Sequence, residues 1–534
     1  MSAPVRSSDS LIPKTLSVFR EGYSIDRLRR DAVSGLTVAM VAIPLSMAIA
    51  KASGASPDRG LITAIIGGFL ISLLGGSRFQ IGGPAGAFIV VVASIIERQG
   101  YDGLLIATMM AGLLMILFGA FRLGSYIRYI PHSVLVGFTA GIATIIFSSQ
   151  IVDLFGLTLA GREPAALIPK LNAILHATYT LSPAAILISL FSAGVILGLR
   201  KLKPHWPGFL IAIGFASLLA LLIAPLGFSV ETIGTRFGGI PNALPMPRLP
   251  VISLDRILSL IPDAATIAFL GAIESLLSAV VADGMTGRRH RSNMELIAQG
   301  IANIGTAIFG GICATGTIAR TATNVRAGGT SPVAGMIHSL VLLLLILFAA
   351  PLASYIPLAS LGAILAIVSW NMAEQAEFIA ILKRSWPDAT ILLATFLLTI
   401  FRDLTEGITV GVVLSAFIFM HRMAQATSVE ETQDTTEKQN DPDTIVYRME
   451  GPLFFGVASE IAEVLDRIAE QPKNFILDCS AVPLLDMTGA HSLKTLINRF
   501  HKGGTEVIFR NANDQVKAAL QRYGALDYGA RLEG

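Results

Sequence analysis

Cysteine is nearly missing from this chain: Cys313 and Cys479 are the only two in 534 residues. They lie in regions of different character, so a disulfide framework is excluded. No Cys/His cluster has metal-ligand spacing. No Gly-x-x-x-x-Gly-Lys-Ser/Thr loop is there to cradle ATP. Charge is scarce as well, at 14% of residues against roughly 25% in a soluble protein. The formal net charge of +3 leaves no basic surface suited to nucleic acid. Paired catalytic groups and cofactor motifs are lacking, which speaks against an enzyme and against any cofactor.

What is abundant is apolar length. The chain is 53% hydrophobic, with a mean hydropathy of +0.66. Leu104 to Phe121, Pro183 to Leu199, Ala264 to Val281 and Met336 to Leu352 are nearly free of charge. Each is close to the roughly 20 residues a helix needs to cross a bilayer, and there are too many for one signal peptide. A polytopic α-helical membrane protein follows, with lipid as its solvent. Residues 1–31 are polar and basic, and residues 32–424 form the membrane region. Residues 425–443, including SVEETQDTTEKQNDPD, read as a linker. Residues 444–534 have ordinary soluble composition.

Basic clusters at Arg122/Arg128, Arg200/Lys201/Lys203, Arg288/Arg289/Arg291 and Lys383/Arg384 all follow even-numbered spans if the N-terminus is inside. That pattern predicts about fourteen segments, with both termini cytoplasmic.

Two segments are interrupted by glycine and proline, one in each half: QIGGPAGAFIVVVASII (80–96) and CATGTIARTATNVRAGG (313–329). Such a pair points to an inverted-repeat transporter with its site at the midplane. In the first, Gly82-Gly83-Pro84 breaks the chain, and Pro84 suits the first helical position. Ala85, Gly86, Ala87 and Phe88 follow, and their N–H groups would face an anion. In the second, Gly316 allows the break and Thr317 can cap. Ile318 and Ala319 then lead to Arg320, one turn into the helix. A guanidinium at that depth costs roughly 2.5–3.5 kcal/mol on insertion scales, and its planar fork matches an oxyanion. Pairing with an acid, or snorkelling to the interface, are the bland alternatives.

Glu274 is the one acid between Asp263 and Asp283, with Ser278 one turn on. It is a candidate to carry a coupling proton, because a low dielectric favours the neutral form of a carboxyl. A counter-ion to Arg320 is its other reading. Pro44, in VAIPLSMAIAKASG, suggests a kink that turns Ser46 and Met47 to the cavity.

Taken together, AIPLSMAIA with ASPDRGL, IGGPAGAF, FLGAIESLLSAVVADGMTGRRH and the 313–329 stretch resemble the sulfate permease (SulP) family. The resemblance implies two inverted repeats of about seven segments each, as in uracil permease. A core domain carrying the site would move as an elevator against a gate domain. It also implies a homodimer in the plasma membrane, the inner membrane of a bacterium. VYRMEGPLFFGVA, EIAEVLDRIAE, NFILDCS and LLDMTGAHSLKTLINRF resemble a cytoplasmic STAS domain, a potential dock for a soluble protein partner. Its signature loop is Asp486-Met487-Thr488-Gly489, with Met487 where related regulators carry a phosphorylatable hydroxyl and Thr488 placed to cap the helix.

Departures from the family bear on the substrate. Leu45 stands where many members have glutamine. The sodium-coupled bicarbonate branch has aspartate in place of Glu274, a hydroxyl in place of Ile318, and no arginine at Arg320. The first two changes weaken a sodium site, which wants hard oxygen ligands. The expectation is a secondary transporter of an inorganic oxyanion, sulfate by default, driven by a proton or by exchange. A bicarbonate or dicarboxylate carrier, sodium-coupled or not, and a passive anion channel are its rivals.

Overall fold

The computed structural model describes residues 11–125, 131–161, 163–164, 166–203, 206–251, 253–402, 404–431, 443–454, 472–527 and 529–533. The chain forms two compact units, Met1–Val412 and Val413–Gly534.

The first unit opens with α1 (Lys14–Arg20) and α2 (Ile25–Ala52), whose start is capped by the Ser24 hydroxyl accepting from Arg27 N. Pro44 lies within the continuous α2. After α3 (Pro57–Leu74) come β1 (Gly82–Gly83), a 3-10 turn at Gly86–Phe88 and α4 (Ile89–Ala120). Gly100, at φ 73°, divides α4 into two helices across a kink. Next are α5 (His132–Phe155), α6 (Leu167–His176), α7 (Pro183–Leu202), α8 (Gly208–Ile223) and α9 (Ile233–Phe237). The second half repeats the opening order with α10 (Leu254–Thr286), α11 (Ser292–Ile308), β2 (Thr315–Gly316) and α12 (Ile318–Arg326). The unit continues through α13 (Val333–Ala353), α14 (Leu358–Met372), α15 (Gln375–Arg384) and α16 (Trp386–Phe401) into α17 (Leu404–Gln425). Ten helices among the described residues are long and apolar enough to cross a membrane.

The two halves interlock. α4, which follows the first break, packs on α10 and α11, which precede the second. Reciprocally, α12 packs on α2, and α13 on α2 and α3. A second group joins α5 to α14 and α16, and α7 to α8 and α14. Without a hydrophobic drive between helices in lipid, close packing needs small residues at the contacts. The α4–α11 crossing shows this at Gly112, where an added Cβ would lie 2.6 Å from the Gly300 carbonyl oxygen.

In the second unit, β3 (Ser428–Glu431), β4 (Thr444–Glu450), β5 (Asn474–Ala481), β6 (Glu506–Arg510) and β7 (Arg531–Glu533) form one sheet in that order. β3 runs antiparallel to β4, and the remaining pairs are parallel. Two helices, α18 (Met487–Lys502) and α19 (Asp514–Arg522), complete the described part. Phe475 on β5 stacks on Phe500 of α18 at 4.8 Å in a core with Leu477, Leu493 and Phe509. Burial pushes the Cys479 thiol up to about 12, so it stays protonated. The segment EIAEVLDRIAE lies outside the described residues.

Two local readings of the sequence need correction. Ser428–Glu431, within the segment 425–443 read as a linker, is an edge strand, because backbone pairing with β4 sets its structure. Asp486, not Thr488, caps α18: its carboxylate accepts from Gly489 N at 2.7 Å. The exposed Thr488 sits within the first turn, where its side chain has no free N–H ahead of it to satisfy.

Gly300→Leu is expected to lower stability by about 1–3 kcal/mol through overpacking, read as a lower Tm in detergent. Gly194→Leu, at a position with nothing within 4 Å of an added Cβ, should leave Tm unchanged.

Candidate functional site

The two chain breaks meet. β1 and β2 pair antiparallel, with Gly82 opposite Gly316 and Gly83 opposite Thr315. Their backbones are tied further where Thr317 N donates to Ile81 O at 3.0 Å. Ile81 N in turn donates to the Thr321 hydroxyl at 3.1 Å. Glycine is required by close approach here. A Cβ on Gly83 would strike Arg320 Nη1, and one on Gly316 would strike the Gln80 amide.

Buried amides and hydroxyls hold the crossing in place. Asn303 donates to Ala314 O at 2.8 Å and accepts from Ala314 N at 2.9 Å. Asn324 donates to Phe79 O at 2.8 Å and accepts from the Ser34 hydroxyl at 2.6 Å. Thr315 Oγ1 donates to Gly271 O, and Gln80 Nε2 to Ser275 O, both at 3.1 Å, anchoring the breaks to α10. Glu295 is wholly buried and accepts from Gly76 N, Ser77 N and Gln299 Nε2, fixing the approach to the first break. Sequence reasoning passed over these residues. The signal was present at i, i+4 and i+8: Glu295, Gln299 and Asn303 form one polar stripe on a helix whose remaining interior positions are mostly apolar.

Arg320 is wholly buried. Its Nη2 donates to the Ser46 hydroxyl at 3.0 Å and to Pro84 O at 3.4 Å. Nε and Nη1 have no partner, and no carboxylate pairs with Arg320 among the described residues. Ser46, Pro84, Gly83 and Arg320 are therefore in one place, and the counter-ion reading of Glu274 fails. Glu274 is half-buried and has no hydrogen-bond or ion-pair partner among the described residues. Ser278, one turn on, gives its proton to Thr321 Oγ1 at 3.0 Å.

Two details differ from expectation. Pro84 does not open a helix; the 3-10 turn begins at Gly86 with Ala85 as its N-cap, and the Pro84 carbonyl is used on Arg320. Thr317 holds the N-cap position of α12, but its hydroxyl donates to Ile81 O at 3.2 Å and does not cap. Each break thus spends its local donors and acceptors on the other break. Ala85, Ala87 and Phe88 are buried, while Gly86 faces Met372 of α14 and Ile146 of α5. Ile318, at 38%, and Ala319 are exposed at the start of α12, and Arg326 is exposed at its end.

A cavity of about 590 Å³ lies away from Arg320, which is not among its lining residues. It lies beyond the site along the same helices, lined by Lys51 on α2 and Ala93 and Glu97 on α4. Lys51 is five residues, or about 7 Å of helix, past Ser46. Lys51 pairs there with Asp153 of α5, joining the two helix groups. In the second unit, Met487 is 68% exposed and Gly489 is buried under Leu453.

The sulfate permease family model matches residues 28–395, and the STAS domain model matches residues 435–532. The chain belongs to the sulfate permease family and is an anion transporter with a STAS domain, not an enzyme. It is 41% identical to the putative sulfate transporter YvdB of Bacillus subtilis, over 94% of this chain and 95% of that one. It is 31% identical to the bicarbonate transporter BicA of Synechocystis, over 93% and 90%. Its fold matches murine Slc26a9 in the inward-facing state, with a TM-score of 0.87 at 19% identity over 99% of this chain and 93% of that one. The transmembrane domain of a cyanobacterial BicA matches at a TM-score of 0.65 and 33% identity, over 72% and 98%.

Asn303→Leu, which keeps the branched outline but drops the amide, leaves Ala314 N and O without their side-chain partner. A loss of about 1–3 kcal/mol is expected. Thermal unfolding checks it, and a wild-type Tm would mean that the amide does not hold the second break.

Proposed function

We propose that this protein is a secondary active transporter of inorganic oxyanions, with sulfate the leading substrate. One observation carries the reading: the buried Arg320 guanidinium has no acidic partner among the described residues and keeps Nε and Nη1 free beside two paired chain breaks. A buried charge without compensation is strongly unfavourable, so an anion is its natural partner. The helix starts near Gly86 and Ile318 add N–H donors and partial positive charge. Pro84, Ala85, Gly86, Ala87 and Phe88 form one wall of this site. Gly316, Thr317, Ile318, Ala319 and Arg320 form the other, and Ser46 steadies the guanidinium. The fork of Arg matches the paired oxygens of sulfate or bicarbonate.

The group of α2–α4 and α10–α13 moves as an elevator against α5, α7, α8, α14 and α16. All the walls of the site belong to the first group, and Gly86 lies at the seam with the second. Glu274 carries the coupling proton, with Ser278 beside it. Sodium is disfavoured because the Ser278 hydroxyl is engaged with Thr321 and Ile318 offers no oxygen. The protein sits as a homodimer in the plasma membrane with both termini in the cytoplasm, where the STAS domain receives a soluble partner. A bicarbonate or dicarboxylate carrier is the second reading, favoured by the 31% identity to a bicarbonate transporter.

Uptake of labelled sulfate into proteoliposomes, competed by bicarbonate, succinate and chloride, decides the substrate. Arg320→Ala is expected to weaken anion affinity roughly 10- to 100-fold, the worth of a charged hydrogen bond. Unchanged uptake removes Arg320 from the site. Glu274→Gln should abolish stimulation by an imposed pH gradient while anion exchange persists. Stimulation that survives in this variant rejects the proton role.

A further inference from the structure

α1 (Lys14–Arg20) is far too short to span a bilayer, yet it is fixed to the end of a helix that does. Lys14 N donates to Gly75 O at 2.9 Å, and the Thr15 hydroxyl donates to Ser72 O at 3.1 Å, both where α3 ends. Arg291, ahead of α11, holds α1 from a second side. It donates to Ile12 O at 2.8 Å and to the Ser17 hydroxyl at 2.9 Å. At its far end Phe19 meets Tyr23 edge-on at 5.5 Å, and the Tyr23 hydroxyl donates to Asp31 of α2 at 2.7 Å.

Thr15 and Val18 face the protein and are buried. Ile12, Leu16 and Phe19, at i, i+4 and i+7, form an apolar stripe that is 40%, 49% and 53% exposed. The exposed apolar surface continues on α2 through Ile25, Leu28, Val33 and Leu36. Residues 32–50 of α2 carry no charge and make about 28 Å of helix, close to the thickness of the hydrocarbon. Val33 and Leu36 therefore face acyl chains, and Ile25–Arg30 lies at the depth of the headgroups. α1, tied to the same boundary, lies there too.

The exposed charge around this stripe is almost all of one sign. Arg20, Arg29 and Arg30 are exposed, as are Arg288 and Arg289 just before Arg291, and none makes an ion pair among the described residues. The neighbouring acids are engaged within the protein: Glu21 with Arg78, Asp31 with Thr330 and Ser331, and Asp283 with His290. Asp26 is the exposed exception. We infer that α1 and the first turns of α2 form an interfacial anchor. Its apolar stripe lies among the acyl chains, and its arginines bind the anionic headgroups of that leaflet. Arginine suits the place, because its fork takes paired phosphate oxygens while its stem covers apolar surface.

The test places a bimane fluorophore on Leu16→Cys or Phe19→Cys in the full-length chain. Cys313 and Cys479 are buried, so labelling is confined to the new thiol. Each labelled protein is reconstituted into phosphatidylcholine vesicles holding an equal share of brominated phosphatidylglycerol or brominated phosphatidylcholine. Both lipids should quench, and phosphatidylglycerol roughly fivefold more strongly, the worth of one arginine near an anionic surface. Combining Arg20→Gln, Arg29→Gln and Arg30→Gln should bring the two lipids towards parity, as should high salt. A label on Leu190→Cys, exposed in the middle of α7, reports the quenching of bulk lipid. No quenching by either lipid at residues 16 and 19 overturns the inference and assigns the face to a protein partner. Equal quenching by the two lipids with all arginines present overturns it as well.

Discussion

The structure depends on a two-residue pairing inside the membrane-spanning unit: Gly82 and Gly83 against Gly316 and Thr315. A chain break at bilayer depth leaves backbone N–H and C=O groups with no water to satisfy them, and it is tolerated only where protein supplies partners. Here each break supplies partners to the other. The helices that flank each break are then locked by the other half, since α4 packs against α10 and α11 while α12 and α13 pack against α2. Neither half can place its own break alone. The closeness of the two backbones explains the glycines, because a single Cβ would displace Arg320 or Gln80.

From this constraint follows the electrostatics. Pairing the breaks brings two helix starts and one arginine together, without an acid to neutralise them among the described residues. The hydrogen-bond partners of Arg320 among the described residues are a hydroxyl and a carbonyl, neither of which carries compensating charge. Glu274 makes no ion pair with it among the described residues, and Lys51 is paired with Asp153. A positive and partly unsatisfied site suits transient occupancy by an anion better than permanent pairing.

Much of this was readable from the sequence, for definite reasons. Apolar runs with basic flanks mark spans because lipid imposes length and charge rules. Gly82-Gly83-Pro84 and Gly316 mark breaks because glycine and proline seldom interrupt a span without purpose, and Arg320 stood out by its cost. What escaped were the residues whose role depends on the partner half. Asn303, Asn324 and Thr321 look like ordinary polar insertions until the fold sets them against Ala314, Phe79 and Ile81. The helix starts moved for the same reason. Pro84 and Thr317 carry sound local signals, but the facing break overrides them by taking their backbone and hydroxyl groups. In the second unit, Ser428–Glu431 became a strand through pairing with Thr444–Glu450, which no property of its own four residues announced.

The most direct measurement is the structure of the protein with selenate, whose anomalous scattering marks the anion without ambiguity. The account predicts one selenate within hydrogen-bond distance of Arg320 Nε and Nη1, between the starts of the helices at Gly86 and Ile318. A selenate seated only in the cavity beside Lys51 and Glu97, with the Arg320 nitrogens unaltered, would contradict it.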